Sequence, residues 1–384
     1  MKHSRRKFIA AAVSGTLASV VAPRSLADEK TTFIDTKSDY SVGDRVHVAG
    51  PGAGGRGNGQ ASGQTGNQRL KKEGRTMLID IHAHAYREPI RLYESAASDI
   101  PDVTDFCSAA QLVRRYDELG IDKGVLLPIV SPEIYLPQTN EDILEMARQY
   151  PDRLIPYCNI DPRALTNSPD APLDKLLHYY KEKGCKGVGE VMLNLPVMHP
   201  LVQNLFRCAQ TVGLPVVFDG SDQLTGDFGL YDDPGLPQLE HTLQKFPDLI
   251  IFGHGPIFWS EIARLQTPGE RGFVFKTDGK QVGLLNGSPI EEEGVVPVLM
   301  RRYGNLYADL SDFTAYNAFN RDHVYGPKFL EEFKDRAFFG TDFCSQFTEF
   351  PLIDLLKNWH ETGKISTDAY NKITHENAIR LLGL

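Results

Sequence analysis

The chain has 384 residues, 41% of them apolar and 10% aromatic, enough to bury a large core and too apolar for a disordered chain. Its 41 basic against 50 acidic residues give a net charge of −9, which excludes a nucleic-acid-binding protein built on clustered Lys and Arg. Five scattered cysteines (Cys107, Cys158, Cys185, Cys208 and Cys344) form neither a disulfide framework nor a paired-thiolate zinc motif.

At the N-terminus, Ser4-Arg5-Arg6-Lys7-Phe8-Ile9 precedes an apolar run over residues 10–22, then Arg24 and the small-residue pattern Ser25-Leu26-Ala27. Basic, apolar and small-residue segments in this order define a secretory signal, and the arginine pair resembles the bacterial twin-arginine signal. The run of 13 residues is shorter than the roughly 20 that span a bilayer, so no stable membrane anchor is expected. Residues 1–27 are therefore read as a signal peptide recognised by the twin-arginine translocase, which carries proteins already folded, and the mature chain as periplasmic. Its removal leaves 357 residues and moves the charge from −9 to −14.

Residues 28–76 show no apolar period, and residues 50–66 hold eight glycines, the composition of a flexible linker. Beyond Met77 short apolar runs alternate with amphipathic stretches. Strands are expected at 77–81, 124–130, 154–160, 186–192, 214–218, 249–252, 305–310 and 337–340. Helices are expected at 109–119, 142–149, 173–183, 200–212 and 236–246. Eight such repeats over residues 77–384 fit a (β/α)8 TIM barrel, an α/β fold, better than an open sheet. Residues 259–296 exceed one crossover and are expected to elaborate a loop over the barrel mouth.

Ile79-Asp80-Ile81-His82-Ala83-His84 closes the first expected strand. Residues two apart on a strand share a face, so His82 and His84 point the same way and can converge on one ion. Glu190, His254 and Asp342 end the fourth, sixth and eighth strands, at the barrel end where this fold places catalysis. Mixed imidazole and carboxylate ligands suit zinc, with manganese or iron as alternatives. Asp309 and Asp312, after the seventh strand, are candidates to touch substrate. His178, His241 and His360 fall on helix surfaces, and His375 sits in the cap region of the last helix. Cys344 has no paired base.

These motifs resemble the amidohydrolase superfamily, in the metal-dependent TIM-barrel branch related to aminocarboxymuconate-semialdehyde decarboxylase. The resemblance runs from Met77 to Leu384. It is carried by Asp80-Ile81-His82-Ala83-His84, Leu119-Gly120-Ile121-Asp122, the stretch from Phe246-Pro247-Asp248 to His254, Arg336 to Asp342 and Asn377 to Leu382. It implies that His82, His84 and Asp342 ligate a divalent metal, with Glu190 where relatives place a bridging carboxylate. It implies further that Asp342 is a general base acting on a metal-activated water, and that His254 polarises the substrate or protonates the leaving group. One departure stands out: after Leu214-Pro215-Val216-Val217-Phe218 the family usually has a ligand histidine, and this chain has Asp219.

The expected activity is hydrolysis of a small-molecule ester, lactone or amide. The alternatives are non-oxidative decarboxylation of an unsaturated or aromatic carboxylic acid, and a non-catalytic periplasmic binding protein. Decarboxylating relatives normally rely on the fifth-strand histidine, which favours hydrolysis here.

Overall fold

The computed structural model describes residues 75–91, 105–133, 136–225, 227–275, 282–345 and 348–384. The signal peptide and all but the end of the linker lie outside the described residues. Eight parallel strands follow in chain order: β1 (Ile79–Ala83), β2 (Lys123–Leu126), β3 (Leu154–Pro156), β4 (Val188–Val191), β5 (Val216–Phe218), β6 (Ile251–Gly253), β7 (Leu306–Asp309) and β8 (Ala337–Phe338). All eight expected strands are present; β1 is shifted two residues onward from its expected 77–81, and the others are shorter than the apolar run that announced them, β2 and β6 each reaching one residue beyond it at one end.

Ladders join β1 to β2 and β2 to β3, and β4 through β8 in order. Two seams close the ring. At one, Cys158 bridges Val188 beside β3 and β4. At the other, Ile81 N donates to Phe339 O at 3.0 Å and Ala83 bridges Phe343. The result is a closed (β/α)8 barrel. Ile79, Ile81, Val125, Leu127, Ile155, Tyr157, Val217, Phe252 and Phe338 form one buried cluster. Side chains from so many different strands can meet only inside the barrel.

Helices α1 (Ala109–Leu119), α2 (Asn140–Gln149), α3 (Leu173–Glu182), α4 (Pro200–Val212) and α5 (Pro237–Lys245) follow β1 to β5. α1 starts at a Ser108–Gln111 capping box and stops at Gly120, whose φ of +76° suits glycine. After β6 the chain forms a short helix, Gly255–Ser260, and then a β-hairpin of Phe273–Phe275 with Val282–Leu284. The long segment after β6 is thus partly regular. His178 and His241 are exposed on their helices, and His360 stacks on Tyr370 at 4.5 Å. His375 lies in a π-helical turn, Lys372–Glu376, directly before Glu376, the N-cap of the last helix. Among the described residues no helix is long and apolar enough to cross a membrane.

Candidate metal centre

Two local irregularities aim the ligands. On β1, Asp80 pairs with Gly124 and Ala83 with Leu126, so β1 carries one more residue than its partner over this stretch. On β4, Val188 pairs with Val216 and Val191 with Phe218, again one residue more than the partner. A bulge of this kind turns the following side chain to the other face. Asp80 therefore faces the helix layer, where Tyr116 donates to it at 2.7 Å, while His82 and His84 face the barrel mouth. Glu190 likewise turns inward between the outward Val188 and Val191. Gly189 just before it has φ +148°, and a Cβ there would meet Val217 O at 2.7 Å.

The inward side chains converge. His82 Nε2 and His84 Nε2 are 3.2 Å apart, and Glu190 Oε2 is 3.3 Å from each. Asp342 Oδ1 is 3.5 Å from His82 Nε2 and 3.3 Å from His84 Nε2. A regular tetrahedron with edges near these values has its centre about 2.0 Å from each corner, the bond length of zinc to nitrogen or oxygen. Five of the six donor separations thus fit one tetrahedral ion, and all four donors lie within 4.8 Å of one another. The other ring nitrogen of His84 is occupied, its Nδ1 lying 3.0 Å from Leu127 O.

The electrostatics point the same way. Burial alone would pull His82 down, but the charges of Asp309, Glu190 and Asp342 hold it well above its ordinary value. His84 is pushed up to about 9, its burial outweighed by hydrogen bonds to Asp342 and Glu190. Against the cost of its own burial, Glu190 is held well below the usual carboxylate range by His82, His84 and His254. The centre favours a positive charge, as a cation site must.

Asp342 is the most open member, with 27% of its side chain exposed. Its backbone has φ +55°, uncommon outside glycine, and its N–H donates to His82 O at 2.8 Å. Asp342 is thereby tied to the strand it completes. A second group shares Glu190: its Oε1 is 3.5 Å from His254 Nε2, and Glu190, Asp219 and His254 offer three donors within 4.8 Å. Asp342 Oδ2 lies 3.9 Å from His254 Nε2. His82, His84, Glu190, His254 and Asp342 therefore meet at this point, and Asp219 stands where the strand-five ligand was expected.

Asp309 does not reach the mouth. It is fully buried against His82, so the reading of Asp309 as a substrate contact is replaced by a role behind the imidazole. Asp312, with φ +69°, lines a small cavity with Tyr316, Asp342 and Phe350. Burial first and then the charge of Asp342 push its carboxyl up. Sequence reasoning overlooked Asp80, whose carboxylate accepts from His82 N, Thr341 N, Thr341 Oγ1 and Tyr116 Oη at 2.6–2.9 Å. It knots β1, β8 and α1 beneath the centre. A cavity of about 440 Å³ at the opposite end is lined by Lys181, Lys186, Asp248 and Arg380. It holds no histidine, and it lies at the barrel face associated with stability.

A family model described as amidohydrolase matches residues 79–384. The chain belongs to the amidohydrolase family, a family of enzymes that usually bind a divalent metal. An uncharacterised TIM-barrel protein from Bordetella bronchiseptica is 18% identical, with 80% of this chain and 98% of that one covered and a TM-score of 0.52. A probable 2-pyrone-4,6-dicarboxylic acid hydrolase from Acinetobacter baumannii is 15% identical, covering 80% and 99%, with a TM-score of 0.49. A 2,6-dihydroxybenzoate decarboxylase from Rhizobium is 16% identical, covering 80% and 98%, with a TM-score of 0.46. At these identities the likeness is one of fold. No curated protein matches the chain.

Proposed function

We propose that the chain is a metal-dependent hydrolase of a small ester, lactone or amide, with His82, His84, Glu190 and Asp342 holding one zinc ion. A zinc ion there supplies a water acidified to near neutrality and a Lewis acid for a substrate oxygen. Asp342, the open carboxylate, accepts the proton of the attacking water and orients it. His254, on the far side of Glu190, polarises the substrate oxygen or donates a proton to the leaving group. The observation that carries the reading is this pairing, a partly exposed carboxylate 3.9 Å from a buried imidazole beside the same donor cluster.

The charge of the site supports a neutral substrate. The groups meeting there are imidazoles and carboxylates. Among the described residues, none of the hydrogen bonds and ion pairs of His82, His84, Glu190, His254 or Asp342 is to Lys or Arg. A carboxylic acid, the substrate of a decarboxylase, would be repelled by the carboxylates of Glu190 and Asp342. Metal analysis of purified protein, with a screen that separates bond hydrolysis from CO₂ release, tests the reading. Hydrolysis by a protein holding one zinc ion is expected; CO₂ release without hydrolysis would replace it with the decarboxylase.

We also infer export through the twin-arginine pathway. Replacing both Arg5 and Arg6 by Lys should leave the protein in the cytoplasm, because the pair is read by a receptor and not as bulk charge. Unchanged periplasmic yield would sink that assignment.

A further inference from the structure

Strand β7 adds no atom to the proposed ligand set, yet its end touches two imidazoles of that centre. Asp309 Oδ2 lies 2.6 Å from His82 Nδ1, and both residues are 0% exposed. Ser311, two residues past the strand and the N-cap of the next helix, places its Oγ 3.0 Å from His254 Nδ1. The contact between Asp309 and His82 is not itself a metal site. Two donors on one tetrahedral ion stand about 3.3 Å apart, whereas 2.6 Å is a short, charge-assisted hydrogen bond.

We propose that Asp309 is a positioning residue of the metal centre, accepting the Nδ1–H of His82 so that the Nε2 lone pair faces His84, Glu190 and Asp342. The proposal rests on the metal reading above. A carboxylate cannot donate, so it admits only this tautomer of a neutral His82. Its negative charge also makes the imidazole a stronger ligand, as carboxylates behind metal-bound histidines do. His84 has only the neutral Leu127 carbonyl in that place.

The carboxylate is itself held still. Ser311 N donates to Asp309 Oδ1 at 3.0 Å, and the indole of Trp259 donates to the Asp309 carbonyl at 3.1 Å. Gly340, just past β8, makes room for the arrangement: a Cβ there would stand 2.8 Å from Asp309 Oδ1, 2.8 Å from Ser311 Cβ and 3.3 Å from His82 Cβ.

The test is zinc affinity, measured by chelator competition on the full chain, with thermal melting of each metal-free protein. Asp309→Asn should weaken zinc binding about 10- to 100-fold while leaving the metal-free melt close to that of the unmodified protein. Gly340→Ala, which crowds the same carboxylate, should weaken zinc in the same direction. Unchanged affinity in Asp309→Asn, with zinc lost in His82→Ala, would overturn the role of Asp309 and leave the metal site standing. Zinc retained in His82→Ala would instead overturn the metal reading and this proposal with it. Should Asp309→Asn not fold, two-bond proton–nitrogen spectra of the histidine-labelled, unmodified protein decide the matter. In the zinc-loaded protein, a His82 ring with its proton on Nδ1 and zinc at Nε2 supports the assignment, and a ring with its proton on Nε2 and zinc at Nδ1 overturns it.

Discussion

The two halves of the centre are built differently. The half containing His82, His84 and Glu190 comes from β1 and β4, each interrupted by an extra residue at the ligand. The half containing Asp219 and His254 follows β5 and β6, which pair without interruption from Ile251 with Val216 to Gly253 with Phe218. Bulges let two ligands from one strand end and one from another come within 3.2–3.3 Å of each other. Regular strands deliver one residue each and leave His254 3.5 Å from Glu190. The partners behind the rings differ as well. His82 and His84 are backed by groups that only accept, while Ser311 beside His254 can donate or accept. The bulged half is suited to hold an ion permanently, and the regular half to change its hydrogen bonding during a reaction.

The sharpest way to break this comparison is to remove the bulged half's imidazoles. His82→Ala with His84→Ala should abolish activity and strip the tight ion while the barrel stays folded, since both side chains lie at the mouth beyond the interior cluster. Full activity at normal metal content would show the pair to be dispensable. Next in size, His254→Asn should lower kcat by about 10²- to 10⁴-fold, the range for a lost general acid or base, and keep the tight ion. Loss of that ion on dialysis would place His254 among its ligands and erase the distinction between the halves.

Asp80 tests the support of the bulged half. Asn in its place offers one acceptor oxygen to the donors His82 N, Thr341 N, Thr341 Oγ1 and Tyr116 Oη, so Asp80→Asn should destabilise the metal-free protein by roughly 2–4 kcal/mol. Burial, opposed by these hydrogen bonds, raises the Asp80 carboxyl from 3.8 to about 6. A raised acid contributes stability that is complete below the unfolded value and is lost as pH rises through the folded one. The gap between the two metal-free proteins should therefore narrow between pH 4 and pH 7; a gap that widens over that range contradicts the assignment.

The smallest effect is expected at Asp219. A site of two carboxylates and one imidazole is a weaker zinc site than one richer in imidazole, so any second ion should leave on dialysis. Asp219→Asn should hardly change the first ion, and Asp219→His should raise occupancy of the second position. Two equally retained ions in the unmodified protein would show the halves to be equivalent as metal sites.

Much of this was readable residue by residue. The apolar runs marked all eight strands because a strand buried on both faces must be apolar throughout. α1 and α4 have the bounds expected from their periodicity, since Gly120 and Gly213 stop them in left-handed conformations. His82, His84, Glu190, His254 and Asp342 stood out because each is a polar residue ending such a run. Asp309 stood out for the same reason, but its task could not be told: a carboxylate at a strand end can face substrate or stand behind a ligand.

The sequence alone determined the alternation of strands and helices, and with it the barrel and the end at which its polar residues gather. These follow from local periodicity and from turn residues that act within a few positions. Tertiary structure decided the rest. Strict alternation would put Asp80, His82 and His84 on one face, yet Asp80 meets Tyr116 of the helix layer while the histidines meet Glu190. That split requires the extra residue on β1, and a bulge is a mismatch between two strands, defined only when Ala83 is paired with Leu126 of β2. The hydrogen bond from His82 to Asp309 spans 227 positions in the chain. It exists because barrel closure brings the first and seventh strands to either side of β8, where Gly340 leaves room for them to meet.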